Sequence, residues 1–361
     1  MNRIENTGVE FKDLGISKNF LEVLDTQNFK HPTPIQHQVI PVALEGKDVV
    51  GIAQTGTGKT LAFGVPMIQR LGKYKGQGLI LLPTRELALQ VDEVLQTVGR
   101  PLGLRSVVLI GGAPIGPQIR QLRNRPHVIV ATPGRLVDHL EQKNCSLENV
   151  KIIVLDEADR MLDIGFMPQI KRILAVAPKE RQTMLFSATM PTEIAKIAAQ
   201  HMKMPLRIEV APAGTSAANV EQEVFIIDKA SKIRLLDKLL QDTDGTVLVF
   251  SRTKHGAKKI TKALRDMGYT AAEIHSNRSL GQRKAALQGF KSGQYRVLVA
   301  TDIAARGIDV NNITLVVNFD LPDNTEDYVH RIGRTGRAGN FGKAISFATH
   351  EERQDIKHIE R

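Results

Sequence analysis

Ala53-Gln54-Thr55-Gly56-Thr57-Gly58-Lys59-Thr60 follows the β-branched run Val49-Val50-Gly51-Ile52 and reads as a phosphate-binding loop at a helix N-terminus. A loop of small residues gives up side chains so that its backbone N–H groups can cradle phosphate oxygens. Lys59 is placed to reach the β/γ-phosphates, and the Thr60 hydroxyl to ligate Mg²⁺. About a hundred residues on, the apolar run Ile152–Leu155 ends in Asp156-Glu157-Ala158-Asp159, and Asp156 is the carboxylate expected to hold the metal from the other side, partly through water. The loop alone admits many kinds of NTPase. Joined to an acid-ended strand, it implies a chain that binds and hydrolyses a nucleoside triphosphate.

The fold follows from what surrounds these stretches. Short apolar runs recur at Val49–Ala53, Leu79–Leu82, Val107–Ile110, Val128–Ala131, Ile152–Leu155 and Met184–Phe186, with helical patterns such as Glu86–Val98 and Ile115–Leu122 between them. Apolar strands that do not alternate, separated by amphipathic helices, predict a parallel α/β sheet covered on both faces. The rhythm returns at Val224–Ile227, Val247–Phe250, Ala271–Ile274, Val297–Ala300, Leu315–Asn318 and Ala344–Phe347. Between the two sets, Ala211–Asn219 is small and turn-rich, which suits a flexible linker. The expected domains are therefore 1–210 and 220–361, joined by 211–219. Only the first carries a phosphate loop, so the second is expected to complete the site across a cleft.

Composition narrows the function class. The 361 residues are 42% hydrophobic and 24% charged, with a net charge of +11. No apolar stretch is long enough to span a bilayer, and the single cysteine, Cys145, excludes an intramolecular disulfide and fits a reducing, cytoplasmic setting. The positive charge points to a polyanionic partner. Residues 251–300 hold 11 basic and 2 acidic side chains, either a solvated face or a surface for a nucleic-acid backbone.

Further motifs stand at family-like spacing: Pro83-Thr84-Arg85-Glu86-Leu87-Ala88, Thr132-Pro133-Gly134-Arg135, Ser187-Ala188-Thr189, Ala300-Thr301-Asp302-Ile303-Ala304-Ala305-Arg306-Gly307-Ile308-Asp309 and His330-Arg331-Ile332-Gly333-Arg334-Thr335-Gly336-Arg337. With the Asp156–Asp159 tetrad, they make the chain resemble a DEAD-box ATP-dependent RNA helicase from Phe11 to Gly339. Gly165-Phe166 and His275-Ser276-Asn277 resemble the bacterial RhlE-like branch.

The resemblance implies two tandem RecA-like domains, ATP and Mg²⁺ as cofactors, and single-stranded RNA bound by its backbone. Phe29-Lys30-His31-Pro32-Thr33-Pro34-Ile35-Gln36 resembles the family's adenine-reading motif. Gln36 would match the N6/N7 edge, Phe29 would stack, and His31 belongs to the same segment; Asn28 stands where the family usually has Gly. Glu157 would orient and deprotonate the attacking water, while Asp159, Ser187, Thr189 and His330 would couple the site to RNA. Arg334 and Arg337 would act as arginine fingers, and Gly307 and Asp309 would meet the nucleotide. RNA contacts would fall on Arg85, Gly112, Thr132, Gly134 and Arg135, and on Arg252, Thr301, Asp302 and Arg306. Leu280 occupies a position where the family often has Gln, with Arg283 retained. A monomer is the expected state. An RNA clamp without unwinding and a DNA translocase remain as alternative classes.

Overall fold

The computed structural model describes residues 9–54, 56–210, 220–305, 310, 313–322, 325–336 and 341–359. They divide into two compact units with the boundary between Ala211 and Pro212; the stretch 211–219 lies outside the described residues. In the first unit the described strands are β1 (Val49–Ile52), β2 (Gln77–Leu81), β3 (Ser106–Leu109), β4 (Val128–Ala131), β5 (Val150–Leu155), β6 (Gln182–Ser187) and β7 (Leu206–Glu209). They form one parallel sheet in the order β3-β4-β2-β5-β6-β1-β7. The second unit holds β8 (Val220–Ile226), β9 (Thr246–Phe250), β10 (Ala271–Ile274), β11 (Val297–Ala300), β12 (Ile313–Asn318) and β13 (Gly342–Ala348), again all parallel, in the order β10-β11-β9-β12-β13-β8. Counted from each unit's first strand, both sheets run third, fourth, second, fifth, sixth, first. The architecture is α/β: two parallel sheets of one topology, each flanked by helices.

Parallel strands buried on both faces need apolar residues at every position, as β4 and β11 carry them. In β9, Val247 and Val249 join one core cluster, while Leu248 and Phe250 join the other. In the first unit Phe186 of β6 packs on Phe63 of the helix Lys59–Lys73, ring centroids 5.5 Å apart. Its ring also covers Gly51 of β1, where an added Cβ would lie 2.7 Å from it. That close approach explains a glycine inside an otherwise β-branched strand.

One strand was not expected from the sequence. In β7, Leu206, Arg207 and Glu209 are exposed and only Ile208 is buried, so the segment lacks the continuous apolar run of a core strand. It is an edge strand, paired to β1 alone.

Candidate active site and nucleic-acid interface

The loop after β1 is built on left-handed backbone. Gly56 and Gly58 have φ of 89° and 91°, conformations that a side chain would strain. A Cβ on Gly58 would also lie 2.4 Å from the Nε2 of Gln36, so the glycine clears space for a neighbour as well as for a phosphate. Gln36 donates from that Nε2 to the Gly58 carbonyl at 3.0 Å and accepts from the Thr33 N–H at 2.9 Å. The residue expected only to read a base therefore also ties the start of the helix Pro34–Leu44 to the phosphate loop. One N–H and one lone pair of its amide remain for a ligand. Phe29 is 36% exposed, and Asn28 before it sits at φ 61°, the left-handed region that glycine and asparagine adopt most readily. His31 is exposed and Thr60 half-buried; Thr57 donates its hydroxyl to the carbonyl of Gln54, and Thr55 lies outside the described residues.

Lys59 is 5% exposed, and its Nζ donates to the Ala53 carbonyl at 3.1 Å and to Glu157 Oε1 at 2.8 Å, with Asp156 Oδ1 at 3.9 Å. Burial disfavours the charged amine, but the field of Glu157 and Asp156 outweighs it and Lys59 titrates above its ordinary range. Burial is also the main influence on Asp156; opposed by Lys59, it still leaves that carboxyl pushed up to about 7. Glu157 is thus the direct counter-ion of the ammonium, with Asp156 farther off. Glu157 adopts φ 54°, ψ 51° at the entry to the short helix Ala158–Asp163, which turns its carboxylate back toward the loop, and Arg160 Nη1 stands 3.5 Å from its other oxygen. The glycine cradle fits a polyphosphate, and a hydroxyl with a carboxylate is the hard oxygen set that suits Mg²⁺.

Asp159 ties the tetrad to the loop after β6. Its Oδ2 accepts from the N–H groups of Ala188 and Thr189 at 3.0 and 2.9 Å and from the Thr189 hydroxyl at 3.1 Å, while its own N–H donates to Ser187 Oγ at 3.1 Å.

The loops after β2, β3 and β4 lie side by side because those strands are neighbours in the sheet. Gly112 has φ 72°, and a Cβ there would lie 2.0 Å from Arg85 Nη1, so the guanidinium rests on bare backbone. Thr132 precedes the helix Pro133–Glu141, and a Cβ on Gly134 would meet nothing closer than 4.0 Å. Arg135 donates to the Ala113 carbonyl at 3.0 Å. Behind them is a network that was not read from the sequence. Gln118 Nε2 donates to the carbonyls of Ile110 and Pro114 at 3.1 and 3.3 Å, which fixes the orientation of its amide. Its Oε1 must then accept from His139 Nε2, 3.2 Å away, leaving His139 Nδ1 to accept from Asn144 at 3.4 Å. His139 is fully buried, and burial, with Arg135 adding, pushes its pKa below the ordinary value. A neutral imidazole therefore pins the Gly111-Gly112 loop to the helix that begins with Gly134 and Arg135.

In the second unit the described candidates have internal partners. Both oxygens of Asp302 bond Arg331, Nε to Oδ1 at 2.5 Å and Nη2 to Oδ2 at 2.7 Å. The side chain expected to touch RNA is thus occupied in a bidentate pair. Arg331 is 2% exposed and also donates to Asn318 Oδ1 and the Asp320 carbonyl. Its role was not read from the sequence, although it stands between His330 and Arg334. Arg252 donates to Asp320 and Leu321 and stays half exposed; Thr301 is half-buried. Arg334 is buried, its Nε bonded to the His330 carbonyl. Arg306, Gly307, Asp309 and Arg337 lie outside the described residues. Within the basic stretch 251–300, Arg265, Arg278 and Arg296 bond inside the unit, whereas Lys258, Lys259 and Lys262 are exposed on one helix. Leu280 opens the helix Leu280–Lys291, capped by Ser279 and Gln282.

Comparison with known proteins accords with this geometry. The DEAD/DEAH box helicase model matches residues 33–197, and the helicase conserved C-terminal domain matches residues 231–339. The DEAD-box ATP-dependent RNA helicase CshA of Bacillus cereus (strain ATCC 10987) is 45% identical over 354 residues, covering 97% of this chain and 67% of its own. Among solved structures, a DEAD box protein from Methanococcus jannaschii is 40% identical with a TM-score of 0.55, covering 98% of this chain and 96% of its own. Dbp5 of S. cerevisiae, bound to RNA and ADP BeF3, is 31% identical with a TM-score of 0.85, covering 97% of this chain and 93% of its own. Identity sustained across both sheets, in a chain whose first sheet holds a glycine cradle and an acid tetrad, places it in the DEAD-box helicase family.

Proposed function

We propose that the chain is an ATP-dependent RNA helicase in which RNA-stimulated ATP hydrolysis drives local, non-processive strand separation. The observation that carries this reading is the buried group Lys59–Glu157–Asp156 beside the Gly56/Gly58 cradle, joined through Asp159 to Ser187 and Thr189. Gln36 and Phe29 select adenine. Arrival of the γ-phosphate draws Lys59 away from Glu157, whose freed carboxylate orients and deprotonates the attacking water. Thr60 and Asp156 hold Mg²⁺, which supplies charge neutralisation on the phosphates when bound. From the domain 220–361, Arg334 and Arg337 act on the γ-phosphate, and Gly307 and Asp309 meet the nucleotide. RNA runs over Arg85, Gly112, Thr132, Gly134 and Arg135 and over Arg252, Thr301 and Arg306, with Asp302 contributing backbone only.

ATP and RNA each favour the closed cleft, so each strengthens the other's binding. The protein acts as a cytoplasmic monomer. The RhlE-like branch is supported by Gly165-Phe166 and His275-Ser276-Asn277, against relatives that bear the name CshA. Steady-state ATP hydrolysis with and without single-stranded RNA, with equal DNA as control, tests the reading. Stimulation by RNA alone supports it, whereas stimulation by DNA favours a translocase. Absence of strand displacement on a short duplex favours a clamp.

A further inference from the structure

A cavity of about 770 Å³ lies along the N-terminal ends of the strands of the first unit, the row opposite the loops that carry Lys59, Arg85, Gly112 and Asp156. Its walls precede or begin β1, β2, β5, β6 and β7. Six cationic side chains line it, Lys47, Arg70, Lys75, Lys151, Arg181 and Lys203, against the acids Asp48 and Glu180. Asp48 is spent internally, accepting from the N–H groups of Thr183 and Lys203 at 2.7 and 2.6 Å. Glu180 pairs with Lys203 at 2.8 Å. Lys47 pairs with Glu45 at 2.6 Å and the charge of Lys151 also acts on Glu180, while Lys75 is exposed with no ion pair among the described residues. Two glycines let cationic stems lie flat along the walls. A Cβ on Gly46, at φ 89°, would lie 2.7 Å from Arg70 Nη2, and one on Gly76 would lie 2.4 Å from Lys151 Cγ.

Apolar side chains stand beside this charge. Met204 is 95% exposed on left-handed backbone of φ 41°, Tyr74 is 49% exposed and Leu206 42%. Arg70 and Lys73 each lie 5.2 Å from the Tyr74 ring. Met204, Tyr74 and Leu206 together offer a partner an apolar seat beside the exposed Lys75 and Lys151.

We propose that this groove docks a short acidic peptide segment of another protein, its apolar side chains seated on Met204, Tyr74 and Leu206 and its carboxylates facing Lys75 and Lys151. Charge complementarity sets the sign of the partner, and the apolar seats distinguish a peptide from a nucleic-acid backbone, which would leave Met204 and Leu206 in water. The site lies on the face away from the ATP and RNA loops, so occupancy leaves the chemistry accessible.

The test is fluorescence anisotropy of a fluorescein-labelled peptide of about twelve residues alternating Glu with Leu, titrated with the full chain, with a Lys-for-Glu peptide as control. The double variant Met204→Asp, Lys151→Glu changes two exposed side chains and should bind the acidic peptide at least about tenfold more weakly, a loss of ~1.4 kcal/mol. RNA-stimulated ATP hydrolysis should stay unchanged, which also verifies the fold. Equal affinity for wild type and variant, or equal binding of the Lys peptide, overturns the proposal. So does displacement of the peptide by single-stranded RNA together with weaker RNA binding by the variant, which would make this face a nucleic-acid surface.

Discussion

Replacing His139 by phenylalanine tests whether the buried network behind the proposed RNA loops sets their geometry. The phenyl ring is somewhat larger than the imidazole it replaces in a fully buried site, and it offers no donor. Gln118 cannot turn its amide round, because its Nε2 already serves the carbonyls of Ile110 and Pro114. Its Oε1 is then left without the His139 donor at 5% residue exposure, and an unsatisfied buried acceptor costs about 1–3 kcal/mol. The loop around Gly112 can recover that energy by shifting to let water in, which separates Arg85 and Gly112 from Arg135. If the whole cost falls on the RNA-competent arrangement, affinity drops by about 5- to 150-fold, and tenfold is the working expectation. The assay is ATP hydrolysis as a function of single-stranded RNA. The half-saturating RNA concentration should rise about tenfold, while the rate at saturating RNA and the rate without RNA stay within about twofold, because Lys59, Asp156 and Glu157 follow other strands. His139→Gln, which offers both a donor and an acceptor, should recover most of the loss. An unchanged half-saturation point, or an equal fall in the RNA-free rate, would refute the reasoning.

Other outcomes follow from the same structure. Lys59→Ala should abolish ATP hydrolysis in steady-state assays while circular dichroism stays native; RNA-stimulated turnover retained in this variant would sink the assignment of the loop. Arg331→Met leaves Asp302 and Asn318 facing a buried gap and should destabilise the second unit by about 3–5 kcal/mol in urea unfolding. Lys at this position should not rescue it, since a bidentate fork is needed. Gly58→Ala combines φ 91° with a 2.4 Å approach to Gln36 and should weaken ATP binding, measured by titration calorimetry, with a strain of about 1–3 kcal/mol. Burial lowers the pKa of His127, His139, His201 and His275 below 6.5, so the unfolded chain binds more protons there. Their contribution is intact above about pH 6.5 and is lost as pH falls below it, opposed by Asp156, which takes up a proton in the folded chain over the same range; in an Asp156→Asn background the melting temperature should decline between pH 6.5 and 5.5, and a flat profile there would contradict the burial of these rings.

Much of the fold was legible in the sequence because doubly covered strands advertise themselves. Val128–Ala131 and Val297–Ala300 are apolar at every position, and the observed strands occupy those residues. β7 was not legible, since an edge strand with one buried residue in four has the composition of a loop. At the site, residue types and spacing raised the expectation of a nucleotide site at Lys59 and Asp156, and the resemblance added Asp159. They did not report what those neighbours do for each other. Gln36 reaches across 22 residues to Gly58, His139 across 21 to Gln118, and Arg331 across 29 to Asp302. Such pairings depend on which strands become neighbours, and a parallel sheet joined by crossovers hides that order from any local pattern.

The shared strand order of the two sheets also bears on how such a chain can change over time. Every strand points the same way, so each sheet has one rim of strand tips and one rim of strand roots. In the first sheet the tips of β1, β5 and β6 carry the phosphate loop, the tetrad and Ser187–Thr189, and the tips of β2, β3 and β4 carry Arg85, Gly112 and Thr132. A segment inserted at the tips therefore disturbs the phosphate loop, the tetrad or the proposed RNA loops at once. One inserted at the roots meets instead the groove of Tyr74, Met204 and the lysine stems, away from Lys59, Arg85 and Asp156, and the roots are where new attachments can accumulate with the tips left intact.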